Sequence, residues 1–155
     1  MQTRSAIRSL FLPITGDPLL LPSVVLAEVI AYRMPESLPN SPPWLLGLIE
    51  WRGRPVPVVS FEELCGRSNS GTPIGTRIAI LNTITGTPQL PFLGVRIQGI
   101  PRLVLVREDD LIFRQDDACS PNPNMYATIE LAEQPAIIPD LESLELLLSS
   151  YVTKE

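Results

Sequence analysis

Side chains able to do covalent chemistry are few in this sequence and rarely stand in useful company. Histidine is absent, which removes the commonest general base and metal ligand. The acidic pairs Glu62-Glu63, Asp109-Asp110 and Asp116-Asp117 offer oxygen ligands for a cation, but solvated turns and helix starts account for them more simply. Cys65 and Cys119 are far apart and lack zinc-like or disulfide-framework spacing. Cys65, next to a helix end, reads as a small buried hydrophobe rather than a reactive thiol. The chain contains no Gly-rich phosphate loop, no G-x-S-x-G elbow and no carboxylate-rich metal motif. These readings lead us to expect a protein that is not an enzyme, with no cofactor and no metal. Two charges stand apart from the rest. Glu28 interrupts the apolar run Val24 to Tyr32, so its carboxylate must be hydrated or paired. Arg52 sits at a turn, and its fork suits carboxylates. From spacing alone, both read as charges on a solvated edge.

Composition limits what can position these groups. Apolar residues make up 45% of the 155 residues and charged residues 19%, enough for a sizeable core and against global disorder. Seventeen prolines spread over the whole length favour short strands, edges and turns over long helices. The net charge is −5, with Lys154 the single lysine, and the scattered arginines make no basic stripe of the kind nucleic acid requires. Ser9 to Ile14 is apolar but interrupted by Pro13, too short for a signal-peptide core or a membrane span. The expectation is a cytoplasmic protein that does not insert into the membrane or bind nucleic acid.

The elements can be read in order. Residues 8–14 form a strand, Thr15 to Pro18 a turn, and Leu19 to Leu21 a second run. Val24 to Tyr32 is mostly strand after a helical turn near Pro22-Ser23. Residues 35–43 form a proline-studded loop, and Pro42-Pro43 opens a short helix through Trp44 to Leu46 that Gly47 ends. Leu48 to Trp51 and Pro55 to Val59 pair around an Arg52-Gly53 turn. Ser60-Phe61-Glu62-Glu63 is a capping box that Gly66 terminates. Residues 67–76 are a polar linker. Arg77 to Asn82 and Leu90 to Ile97 flank a turn at Thr85-Gly86, and Arg102 to Val106 adds a strand. Residues 108–124 read as an exposed loop. Met125 to Leu131 and Ala136 to Ile138 make a last hairpin, and Asp140 caps an amphipathic helix.

A weak repeat lies at an offset of 80 residues. Residues 49–64 and 129–144 share Ile, Glu, Pro, Glu and Leu at 49/129, 50/130, 55/135, 62/142 and 64/144. Both segments read strand, turn, Pro-led strand, N-cap and helix, and this matched order carries more weight than the identities. Two related small β units, each closed by a helix, follow from it: about 8–66 and about 77–148, joined near 67–76, with room for strand exchange between them.

The order A-E-V-I, proline-rich loop and P-P-W-L-L-G-L-I-E-W-R-G-R-P-V-P-V-V resembles the CheW-like adaptor domain of bacterial chemosensory systems. Glu28, Pro43, Gly47, Arg52, Gly53, Pro57 and Val58 stand where that pattern wants them. Leu93 to Gln98 and Ala136 to Leu147 resemble its later segments. Glu50 and Ser60 depart from the family's usual Asn and Asp, and Gln98-Gly99 from Val-Asp, the differences of a divergent member. Glu50 and Ser60 are where a specialised partner preference is expected to show.

The resemblance implies a mainly β fold of two small five-stranded, SH3-like β-barrel subdomains with short helices. It implies a non-enzymatic adaptor in two-component chemosensory signalling. Such an adaptor bridges the cytoplasmic tip of a chemoreceptor to the regulatory domain of a CheA-type histidine kinase at membrane-associated receptor arrays. The reading extends to systems controlling type IV pili and twitching. Leu26, Glu28, Gly47, Arg52 and Gly53 are its candidate receptor-binding residues, with Glu28 and Arg52 paired at a groove where the barrels meet. The kinase-facing surface is expected to use barrel ends and loops, including residues 108–124. Alternatives are an accessory or competing module that binds without activating the kinase, and an unrelated small β-barrel binding protein.

Overall fold

The structure is a computed structural model that describes residues 6–64, 75–86, 88–114 and 126–152. Its runs of consecutive apolar residues, LFL at 10–12, LLL at 19–21 and IAIL at 78–81, become strands buried on both faces, the arrangement that yields continuous rather than alternating apolar strands. The strands in order are β1 (Ala6–Leu12), β2 (Leu19–Pro22), β3 (Leu26–Ala31), β4 (Leu45–Trp51), β5 (Arg54–Val59), β6 (Arg77–Asn82), β7 (Phe92–Ile97), β8 (Arg102–Arg107), β9 (Leu111–Arg114), β10 (Tyr126–Leu131) and β11 (Gln134–Pro139). Helix α1 (Phe61–Leu64) follows β5, and α2 (Leu141–Val152) follows β11. Single 3-10 turns at Ser23–Val25 and Glu108–Asp110 precede β3 and β9.

The strands form a six-stranded sheet, β8-β1-β2-β11-β10-β9, and a five-stranded sheet, β3-β6-β7-β5-β4. One expected five-stranded barrel therefore has a sixth strand. That strand is β9, which lies inside the expected loop 108–124 and pairs with β10 from Leu111↔Leu131 to Arg114↔Thr128. The short LIFR run is bracketed by charges, which is why it reads as loop in sequence. In the other sheet the same place is held by a single bridge, Glu36↔Leu48.

The sheets do not follow the division at 67–76. The leading hairpin of the first half, β1-β2, lies in the sheet built from β8 to β11, and the leading hairpin of the second half, β6-β7, lies with β3 to β5. The exchange is reciprocal and its geometry repeats: β2 runs parallel to β11, and β7 runs parallel to β5. The boundaries 8–66 and 77–148 thus describe two linear repeats but not two spatial bodies. Most of the linker, residues 65–74, lies outside the described residues, as do both cysteines.

Hairpin exchange makes three apolar cores. Phe11, Leu20, Val106, Ile129, Leu131 and Ala136 fill the six-stranded barrel. Ile49, Trp51, Val56, Val58, Ile78 and Ile80 fill the five-stranded one. The largest core lies between them, where Leu10, Leu12, Leu19 and Leu21 of one exchanged hairpin join Ala79, Leu81, Leu93 and Val95 of the other, with Phe61, Leu144 and Leu148 from the helices. Each such aliphatic side chain contributes roughly 1.5–3 kcal/mol by leaving water.

The two closing helices are capped as the sequence predicts. The Glu63 N–H donates to Ser60 Oγ at 3.2 Å, and the Ser143 N–H to Asp140 Oδ1 at 3.1 Å. The reciprocal half of the first box is replaced, because the Ser60 N–H donates to the Trp44 carbonyl at 2.8 Å. Asp140→Ala should cost about 1 kcal/mol, read as a small drop in urea midpoint with an unchanged slope. The expected short helix at 44–46 does not form. Leu45 starts β4, paired with Val59, and only a turn closed by Leu45 N–H to the Pro42 carbonyl at 3.0 Å precedes it. Pairing with β5 wins over the local helix signal of Pro42-Pro43.

Candidate functional site

Glu28 lies on β3 just past an irregularity in the β3–β6 register, between Leu26 and Glu28. β3 and β4 are the outer strands of the five-stranded sheet, yet Glu28 touches the far end of β4, so the sheet has curled until its edges meet. Glu28 Oε1 accepts a hydrogen bond from Trp51 Nε1 at 3.1 Å and another from Arg52 Nη2 at 3.3 Å. The Arg52 guanidinium carbon stands 4.6 Å from the centre of the Trp51 ring. Trp51 is itself buried and meets Phe92 edge to face at 4.9 Å.

Local sequence explains the geometry. Arg52 and Gly53 both adopt positive φ, 51° and 74°, the tight turn whose twist matches an antiparallel hairpin. The turn keeps Arg52 beside the ring of the residue before it. The Glu28 and Arg52 side chains remain 42% and 71% exposed, so their pair adds only about 0–1 kcal/mol. A cation over an exposed aromatic adds about 0.5–1 kcal/mol. The cluster fixes position more than it stabilises.

The five expected site residues do not form one patch. Glu28, Arg52 and Gly53 come together at the barrel mouth. Leu26 lies across the irregularity from Glu28, half-buried against the core between the barrels. Gly47 belongs to the other end of β4, where its φ is +140° and a Cβ would stand 2.2 Å from the Glu36 carbonyl oxygen. That glycine is needed to let the Glu36 backbone pair with Leu48. Trp51 and Phe92 were not among the expected residues. Trp51 is legible as the neighbour of the Arg-Gly turn, whereas Phe92 is brought in by the exchanged hairpin and has no local signal.

The acidic pairs resolve differently from one another. Glu63 is half-buried and Asp109 and Asp110 are exposed, but Glu62 is completely buried, contrary to its reading as a solvated helix start. Its carboxylate accepts the Thr15 backbone N–H and lies 3.8 Å from Arg96 Nη2. Glu145 of α2 makes the matching contact, accepting the Ile84 and Thr85 N–H groups at 2.7 and 2.9 Å. Each closing helix thus holds the turn of its own half's exchanged hairpin. Ser60 is also fully buried and receives Arg96 Nη2 at 3.3 Å, so it cannot face a partner; Glu50 is exposed. Asp116-Asp117 lies outside the described residues. Among the described residues no three potential metal ligands converge.

Two interleaved β-barrels sharing one core, with an ion pair and a tryptophan at one mouth, define a small double-barrel β domain. The CheW-like domain family model matches residues 9–146, and the chain belongs to that family. The family is one of non-enzymatic chemosensory scaffolds. The chain is similar in fold to the crystal structure of the scaffolding protein TtCheW from Thermoanaerobacter tengcongensis. The TM-score is 0.74 at 15% identity, over 90% of this chain and 88% of that one. No curated protein matches.

Proposed function

We propose that this protein is a non-enzymatic adaptor coupling the cytoplasmic tip of a chemoreceptor to the regulatory domain of a CheA-type histidine kinase. In this reading it works in the cytoplasm, is recruited to receptor arrays, and serves a system that controls pilus-based motility. Family membership supports the general role. The observation that carries the site is the Glu28–Trp51–Arg52 cluster. An exposed arginine is held by a carboxylate and a buried ring, pre-positioned to meet a helix laid along the groove between the barrels, with Leu26 as its apolar contact. Preorganised side chains lose less entropy on binding. Among the described residues no helix is long and apolar enough to cross a membrane, and recruitment through a receptor requires none.

Arg52→Ala is the test. Binding to a purified receptor-tip fragment, measured by calorimetry, should weaken about tenfold, the loss of one charge-assisted contact. The melting temperature should stay within about 2–4 °C of the parent, because the exposed pair contributes little to stability. Unchanged affinity in a folded variant would remove Arg52 from the interface.

A further inference from the structure

The two barrels have equivalent mouths, and the strand registers show how they correspond. Ile137 of β11 meets Leu19 of β2. Eighty residues earlier, Pro57 precedes Val58, which meets Gly94, so Leu93 corresponds to Leu19. Within the hairpins, Leu19 pairs with Leu12 and Leu93 with Leu81, which sets Phe11 in the place of Ile80. Phe11 pairs with Arg102, and Ile80 with Glu28. Arg102 therefore stands in the six-stranded barrel where Glu28 stands in the five-stranded one, with the opposite charge.

The surroundings differ in one respect. Glu28 has its cation, Arg52, inside the chain. Arg102 has a ring, with its guanidinium carbon 5.0 Å from the centre of Phe11, but among the described residues no carboxylate is within ion-pair distance of it. Glu133, on the adjoining β10–β11 turn, is exposed and makes no such contact. The mouth is also open. A cleft of about 310 Å³ lies between Phe11, Pro13, Ile14, Ile100, Arg102 and Gln134, with Ile100 72% exposed at its rim. Its walls are polar and apolar in equal measure: Arg102 supplies a cation and Gln134 an amide, beside the apolar side chains of Phe11, Pro13, Ile14 and Ile100.

We propose that this mouth binds a peptide segment of a protein partner in which an acidic side chain stands beside an apolar one. The carboxylate takes the Arg102 fork, and the apolar side chain enters the cleft over Pro13 and Ile14 and covers Ile100. The charge left unmatched among the described residues selects the acid; the apolar part of the wall, with Ile100 at its rim, and the cleft's size, room for one or two side chains, select its neighbour. This site is separate from the Glu28–Arg52 cluster and does not depend on what that cluster binds.

A random linear peptide library displayed on phage, panned against the whole protein and counter-panned against Arg102→Gln, tests the proposal. Enriched peptides should carry Asp or Glu next to an apolar residue. Synthesised, they should bind about tenfold or more weakly to Arg102→Gln, with Arg102→Lys intermediate because it keeps the charge but not the fork. Arg33→Gln, an exposed arginine in the loop after β3, should bind like the parent and controls for net charge. In amide spectra of the labelled protein, the shifts should centre on Ile14, Ile100, Arg102 and Gln134. Failure to enrich any peptide, or enrichment of peptides lacking an acid or indifferent to Arg102→Gln, overturns the proposal. Self-association of the protein that Arg102→Gln abolishes assigns the mouth to a second copy and overturns it equally.

Discussion

Gly47→Ala should destabilise the protein by about 3 kcal/mol or more and lower its melting temperature by roughly 10 °C. Two costs add. The backbone there has φ +140°, outside the region side chains accept, and the new Cβ would meet a backbone oxygen, Glu36 O, at 2.2 Å. A backbone atom in a strand bridge cannot swing aside as a side-chain tip can, so the Glu36↔Leu48 bridge must open. Gly53→Ala is the internal comparison. Its φ is +74°, with nothing within 4 Å of an added Cβ, so only the left-handed backbone cost of about 1–2 kcal/mol applies. Urea melts of both variants give the ranking. If the two lose the same amount, the close approach at Gly47 carries no energy and its role must be sought in binding after all.

Glu62→Ala should cost about 3 kcal/mol, far more than a surface glutamate. The substitution deprives the Thr15 N–H of its carboxylate. It also removes the one carboxylate near Arg96 among the described residues, leaving a guanidinium that is only 15% exposed without a counter-charge. Glu62→Gln keeps an acceptor and should lose about half as much. The loss should also be local: amide exchange should accelerate at Thr15 and along β1-β2 before the rest of the six-stranded sheet. Glu145→Ala should do the same at Ile84 and Thr85 and along β6-β7. Uniform acceleration over both sheets would mean that neither carboxylate acts as a local latch.

Much of the fold is legible in the chain because its punctuation is strong. The Arg52-Gly53 turn, the Ser60 and Asp140 caps and the doubly apolar runs each state one local conformation, and the 80-residue offset pairs β4-β5-α1 with β10-β11-α2. What the residues do not state is which sheet each hairpin joins. β1-β2 and β6-β7 are apolar on both faces, so either sheet would bury them, and only the partners decide. The same non-locality hides β9, whose pairing with β10 is the reason it is a strand. It also hides Glu62, which reads as a solvated helix start until Thr15 and Arg96 are placed beside it. At the candidate site the Glu28–Arg52 pair is anticipated only through the family resemblance, since spacing alone leaves both charges on a solvated edge. Gly47 stands close to Arg52 in sequence but serves the opposite end of the strand, a distinction that requires knowing where Glu36 runs.

The reciprocal hairpin exchange has a kinetic side. β1 pairs with β8 from Ala6↔Arg107 to Phe11↔Arg102, so β1 leaves the ribosome well before the neighbour on its second edge is made. The five-stranded barrel cannot close until β7 is made, and β1-β2 must wait for β8 to β11. Such non-local pairing slows folding, because loop closure comes before the contacts that reward it. Until then Leu10-Phe11-Leu12 and Leu19-Leu20-Leu21 present an apolar hairpin with two open edges, a template for unwanted strand addition. The arrangement that welds the two repeats together in the finished protein thus makes the β1-β2 hairpin an aggregation hazard while the chain is being made.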